Sequence, residues 1–516
     1  MGMGATEATN RKPPGWLGPV IGLVTAGVAL GVAHLVAGWV NPAASPVITV
    51  GEGAIDSSPT WLKSFAIRSF GSNDKQILLL GIGVIIALAA IAIGNAALRR
   101  PRSGWIGLGI FAAVGAIAAI TRADATAGDL IPVVVGAGAG ALTLRALLHA
   151  VGRPARAQDE APVASLDRRR FLWTAGVGAA VAIGAGGVGG FFSRRFRADD
   201  SRASVRIPPP ASPATDAPAG LDAIDGISSF FTPNDRFYRV DTALLVPAVT
   251  AEDWRLRIHG MVDRELTLTY EQLLARPLIE RDVTLTCVSN PVGGHYLGNA
   301  RWIGAPLKDI LEEAGVQRGA DQLVARSVDG FTVGTPTTAL LDGRDAMLAV
   351  AMNGEPLPIP HGFPVRVVVP GLYGYVSATK WVVDMELTTF DAYDAYWIAR
   401  GWAQQAPIKT QSRIDVPHGA ISAGPRDIAG VAWAQHVGIE TVEVQIDGGA
   451  WLHAELAPAD TTDTWRQWRI AWDATAGDHR IAVRATDRTG QTQTPDLAEP
   501  FPDGATGYHT ISVSVR

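Results

Sequence analysis

The chain has 516 residues, of which 47% are hydrophobic and 18% charged, with a formal net charge of −5. That balance offers no basic surplus to hold a phosphate backbone, so nothing in it suggests a nucleic-acid partner. One cysteine in the whole chain rules out an internal disulfide, cysteine-rich zinc sites and cysteine-ligated iron–sulfur clusters.

Five apolar stretches come first: Leu17–Val40, Gln76–Leu98, Trp105–Ile120, Leu130–Leu148 and Phe171–Phe192. A bilayer core takes about 20 apolar residues per helix. The first, second and fifth reach that, whereas the third and fourth are shorter and rich in Gly and Ala. Residues 1–193 therefore read as a membrane domain of about five transmembrane helices. Arg11 and Lys12, then Arg99, Arg100 and Arg102, then Arg153, Arg156 and Arg168 to Arg170 mark alternate loops as cytoplasmic. Lys63, Arg68, Lys75 and Arg122 lie in the other loops. Five crossings put the remainder of the chain outside, although Arg194, Arg195 and Arg197 then sit on the outer face. The last stretch opens Arg168-Arg169-Arg170-Phe171-Leu172, which resembles a twin-arginine export signal with Asp167 in place of the usual Ser or Thr. A positive-inside anchor explains the same charges. His34 and His149 would lie on the order of 20 Å apart along the membrane normal, too far to clamp one haem.

Residues 194–226, with Pro208-Pro209-Pro210, read as an extended linker. From 227 to 404, β-type runs (Trp254–Ile258, Val283–Thr286, Val365–Val369, Trp381–Leu387) alternate with helical ones (Tyr270–Ala275, Leu307–Ala314), an α+β pattern. From 405 to 516 only strand signals appear, at Val431–Trp433, Thr441–Ile446, Gln467–Trp472 and His479–Thr486. That is the texture of a β-sandwich of immunoglobulin-like size. Cys287 closes a β-rich approach and is followed by a polar, glycine-bearing loop. A lone thiol there is either a small buried apolar group or a reactive or ligating one.

Several separated motifs share an order. They are Thr232-Pro233-Asn234-Asp235-Arg236-Phe237-Tyr238-Arg239; Thr286-Cys287 through Gly298-Asn299-Ala300-Arg301-Trp302; Met352-Asn353-Gly354-Glu355-Pro356-Leu357; His361-Gly362-Phe363-Pro364-Val365-Arg366; Gly374 through Lys380-Trp381; and Ile408 through Asp415. On these, residues 227–516 resemble the sulfite oxidase family of molybdenum enzymes, a molybdopterin-binding domain followed by an immunoglobulin-like dimerisation domain. The resemblance implies a Mo-molybdopterin cofactor with Cys287 as its metal ligand. It assigns Arg366 and Lys380 to the phosphate end, and Phe237, Tyr238, Arg239, Asp241, Ser327 and His361 to the rest of the cofactor. Tyr396 falls near the family's active-site tyrosine. Asn290 and Arg301 read as shaping or supporting residues, and Trp302 as packing.

The chain departs from sulfite oxidases proper at one place. They carry an arginine five residues after the cysteine, and here Val292 stands there, with His295 after the glycine pair. Arg236, Tyr396 and Arg400 are the alternative groups for a pocket mouth. No His-Pro-Gly-Gly haem signature precedes the catalytic part, so a separate electron carrier, a cytochrome or a quinone-linked one, is expected. The implied activity is oxygen-atom transfer on a small oxyanion by a multi-pass, extracytoplasmic enzyme in contact with membrane lipid and paired as a homodimer. The alternatives are a sulfoxide or other oxide reductase on the same scaffold, or an inactive membrane-anchored binding module.

Overall fold

The computed structural model describes residues 14–59, 62, 74–122, 125–151, 168–191 and 195–516. They fall into two compact units, one running to Phe196 and including Ala243–Leu245, the other made of Arg197–Thr242 and Val246–Arg516. Of the charges read above for topology, Arg11, Lys12, Lys63, Arg68, Arg153, Arg156, Asp167 and Arg194 lie outside the described residues.

The first unit is helical: α1 Leu17–Val40, α2 Pro46–Ser57, α3 Asp74–Arg99, α4 Pro101–Ile120, α5 Ile131–Val151 and α6 Arg168–Phe191. Apolar residues all round a helix need apolar surroundings on every side, and a helix meets its own backbone hydrogen bonds there. α1 is central and packs against α3, α5 and α6. Its contact with α3 is backbone to backbone, since a β carbon at Gly22 would overlap the Ala90 carbonyl and one at Gly94 the Gly18 carbonyl. Among the described residues four helices are long and apolar enough to cross a membrane. α6 spans 24 residues with arginines in its first turn, and its described side chains are apolar over Phe171–Gly186. α2 was not legible as an element; Pro46 starts it after Ser45.

The second unit takes up the chain at Arg197. The expected extended linker opens as a helix, α7 Arg195–Ser204. Arg202 donates to the Glu355 carboxylate at 2.8 Å and to the carbonyls of Pro356 and Leu357. Ser212 then pairs with Ile279 as a parallel bridge. Residues 197–212 are a docked strap.

Ten strands follow: β1 Arg255–Gly260, β2 Leu266–Thr269, β3 Ile279–Thr286, β4 Leu297–Pro306, β5 Gln322–Ser327, β6 Thr332–Pro336, β7 Met347–Met352, β8 Glu355–Pro356, β9 Arg366–Val368 and β10 Val382–Thr388. One sheet has the order β2-β1-β10-β5-β6, and the other runs β3-β4-β7-β8 with β9 also on β7. β3, β4 and β7 are buried along nearly their whole length and carry the core, with Trp302, Met347, Leu348 and Val350 at its centre.

No helix follows residue 404. Nine strands, β11 Gln411–Val416, β12 Ala420–Ile421, β13 Gly424–Trp433, β14 Ile439–Ile446, β15 Trp451–His453, β16 Glu455–Leu456, β17 Arg466–Ala474, β18 Gly477–Asp487 and β19 His509–Val515, make the sheets β11-β13-β17-β16 and β12-β19-β18-β14-β15. Ile428, Val442, Val444, Trp468, Ile481 and Val483 fill the space between them.

Candidate active site

β3 ends at Thr286, so Cys287 is the first residue to leave the sheet. The loop it opens is closed internally. Cys287 N donates to the Tyr296 carbonyl at 2.9 Å and Asn290 N to the Cys287 carbonyl at 3.0 Å. Asn290 Oδ1 accepts from Tyr296 N at 2.8 Å, the shaping role expected of it. Burial pushes the Cys287 thiol pKa up, opposed by hydrogen bonds from Ser289. Such a sulfur keeps its proton until a metal displaces it.

Tyr238 faces this loop. Burial drives its hydroxyl pKa up, the Cys287 charge adds to the rise and the Arg366 charge opposes it, so the three groups share one low-dielectric space. A β carbon on Gly374 would meet both the Thr286 carbonyl and the Tyr238 hydroxyl at 3.8 Å. The Gly374–Ser377 turn therefore closes the same space. Phe237 lies buried beneath Tyr238, stacked at 5.3 Å and edge-on to Trp302 and His361. Its ring fills the room that a side chain at Gly298 would need.

The cationic wall is built from three segments. His361 sits on the turn Ile359–His361, with Nε2 3.0 Å from the Asn234 carbonyl. Burial, and then the charges of Arg366, Lys380 and Arg239, lower its pKa to about 4. It is neutral, and Nε2 carries the proton that the carbonyl accepts. Arg366, the first residue of β9, lies over the Trp302 ring at 5.0 Å and donates to the His361 carbonyl at 3.2 Å. Its Nε is buried with no partner, and burial lowers its pKa to about 10. Lys380 donates to Asp241 at 2.7 Å, and burial brings it to about 8. Arg239 pairs with the same carboxylate at 2.7 Å. Ser327 ends β5 next to Asp329, whose pKa is raised by burial and by Asp241 and lowered by Lys380. Arg301 forks onto the buried Asp282, a supporting role.

Tyr396 packs its ring on Phe331 at 5.3 Å, and that ring lies 3.6 Å from the Arg400 guanidinium. The charge of Cys287 reaches the hydroxyls of Tyr238 and of Tyr373, adding to the rise that burial gives each. Tyr373 was missed in the sequence, where its only signal is an aromatic between Gly371 and Gly374. Arg236 is exposed. With Val292 in the loop, a cation reaches it from β11, where Arg413 donates to the Gly294 carbonyl at 2.8 Å.

These residues fit a molybdopterin. Among the described residues three cations face the carboxylates of Asp241 and Asp329, and three donors, Arg366 Nε, Ser327 Oγ and Thr379 Oγ1, are buried without hydrogen-bond partners. An anionic ligand rich in acceptors satisfies both deficits.

Residues 243–397 match the family described as "Oxidoreductase molybdopterin binding domain". The sulfite oxidase of Gallus gallus is 30% identical over 323 residues, covering 53% of this chain and 70% of that protein. The mitochondrial sulfite oxidase of Homo sapiens is 28% identical over 324 residues, 53% of this chain and 59% of that one. Among solved structures, the sulfane dehydrogenase SoxCD of Paracoccus pantotrophus aligns at 24% identity with a TM-score of 0.49, covering 56% of this chain and 82% of that one. On the extent of its match to the sulfite oxidases, the chain belongs to the sulfite oxidase family of molybdopterin-binding oxidoreductases.

Proposed function

We propose that the chain is a membrane-anchored, extracytoplasmic enzyme that holds Mo-molybdopterin on residues 227–404 and transfers oxygen atoms to or from a small oxyanion. Bound molybdenum supplies two-electron oxygen-atom exchange with water as the other oxygen partner. The protein's share is placement. Cys287 gives the metal its protein ligand, Arg366 and Lys380 neutralise the phosphate, and Phe237, Tyr238, Arg239, Asp241, Ser327 and His361 bracket the remainder. The observation that carries this reading is the buried Arg366, unpaired at Nε, in the space shared with Cys287 and Tyr238.

The outer location rests on the twin-arginine-like start of α6 and on that helix serving as a fifth span. At about 1.5 Å per residue, 24 residues exceed a bilayer core. The two-sheet C-terminal domain is read as immunoglobulin-like and as the homodimer contact. Single electrons leave through a separate cytochrome or quinone-linked carrier. Val292 favours a second reading, reduction of sulfoxides or other oxides, because it leaves the loop without the arginine that grips an oxyanion.

The test is metal and pterin analysis of purified protein, followed by sulfite, nitrate and methionine sulfoxide assays with an artificial electron carrier. Cys287→Ser is expected to remove molybdenum and turnover while the melting temperature stays within about 2 °C. Full molybdenum content in that variant would overturn the assignment.

A further inference from the structure

We propose that the C-terminal sandwich positions the metal-ligand loop, with Arg413 as the positioning residue. This rests on the reading of Cys287 as the metal ligand. Arg413 and Asp415 form a buried ion pair on β11, with Nε to Oδ1 at 2.6 Å. A buried pair is a poor source of stability unless every donor and acceptor is used. Here they are used on two segments of the candidate site. Arg413 donates to the Gly294 carbonyl at 2.8 Å and to Ser228 Oγ at 2.7 Å, and Asp415 Oδ2 accepts from Ser228 N at 2.9 Å. Gly294 belongs to the Cys287 loop, and Ser228 leads into the segment bearing Phe237 and Tyr238.

A second contact comes from the other sheet. His509, at the start of β19, accepts from Ile414 N at 2.9 Å through Nδ1. Its ring fills the place of a β carbon at Gly293, where φ is +73°. Only glycine suits that conformation and that neighbour. Inside the loop, Gly294 N donates to the Pro291 carbonyl and the Asn290 amide ties back to Tyr296. A hold on residues 293 and 294 therefore fixes the sulfur. All three guanidinium nitrogens are committed to protein partners, so Arg413 acts through the loop and not on substrate.

Cys287 is the only thiol, which gives a readout independent of turnover: its rate of reaction with a disulfide reagent in metal-free, full-length protein. Arg413→Met is expected to react about tenfold faster than wild type, because loosening the loop raises the open population. Arg413→Lys keeps the charge beside Asp415 but loses the fork, and is expected to react several-fold faster. It decides the matter if the Met variant does not fold. Arg426→Met, on exposed β13 backbone, serves as the control. Rates within about twofold of wild type in folded Arg413 variants would overturn the inference. Cys287→Ser that keeps its molybdenum, alongside faster labelling in the Arg413 variants, would instead remove the cofactor reading and leave the loop clamp standing.

Discussion

Arg366 is buried with one nitrogen unpaired, a placement that costs about 1–3 kcal/mol in the absence of a ligand. Methionine has similar reach and keeps the packing on Trp302, so Arg366→Met separates stability from binding. Metal-free protein carrying it is expected to be as stable as wild type or up to about 2 kcal/mol more stable in urea unfolding. The same change should cut molybdopterin content at least about tenfold. A large loss of stability in metal-free protein would make Arg366 a structural residue. His361 and His509 act on pH. Burial leads both shifts, with nearby cations adding, and both pKa values fall from 6.5 to about 4. The unfolded chain then binds more protons across that window, so their contribution is complete above pH 6.5 and is lost as pH falls towards 4. Roughly 1–2 kcal/mol per histidine is expected. His361→Asn should flatten the decline measured between pH 6.5 and 5, and an unchanged slope would exclude His361 as its source. At this scale Cys287, Tyr238, His361, Arg366 and Lys380 were legible because each lies within an ordered motif. Tyr373 and Arg413 were not, since their partners are 86 or more residues away in the chain or visible only through the folded geometry.

Single elements were read well where one physical signal dominates. The helix Leu307–Ala314 follows its pattern residue for residue, and the strand ending at Thr286 does so at its end but starts earlier, at Ile279. The strap did not, because proline and alanine content reports local stiffness and not the distant Glu355 that Arg202 finds. Helix spans were legible from hydropathy, but their close packing lies in the small residues. On α1, Gly18 and Gly22 lie one turn apart and meet α3 backbone at Gly94 and Ala90. Gly22→Val must separate those helices or distort both. A loss of several °C in melting temperature of the detergent-solubilised protein is expected, with far-UV helix content retained below the transition. An unchanged melting temperature would mean that α1 and α3 do not cross at that glycine.

Across the second unit, a boundary at residue 404 describes where helices stop and not where the core stops. Val431, Trp433 and Trp465, all beyond it, belong to the same buried cluster as β3, β4 and β7. The contact is directed at the free edge of β3. Thr284 N donates to the Asp463 carbonyl at 3.0 Å, Trp465 N donates to Thr284 Oγ1 at 2.8 Å, and Gln435 donates to Thr286 Oγ1 at 2.8 Å. The strand that delivers Cys287 is thus paired on one side by β4 and covered on the other by the Ser212 strap at its start and by sandwich loops at its end, which leaves no open edge beside the site. Trp465 closes the arrangement, with Nε1 donating to the Phe230 carbonyl at 3.0 Å. Its removal leaves a cavity common to both parts and strips partners from both. Trp465→Ala is expected to cost about 3–5 kcal/mol and to lower the unfolding of residues 227–404 and 405–516 together, as one calorimetric transition. Molybdenum retention should fall with it, since β3 loses its cover. Two transitions, with only the sandwich shifted, would show that the parts fold independently and that β3 keeps its edge without help from Trp465.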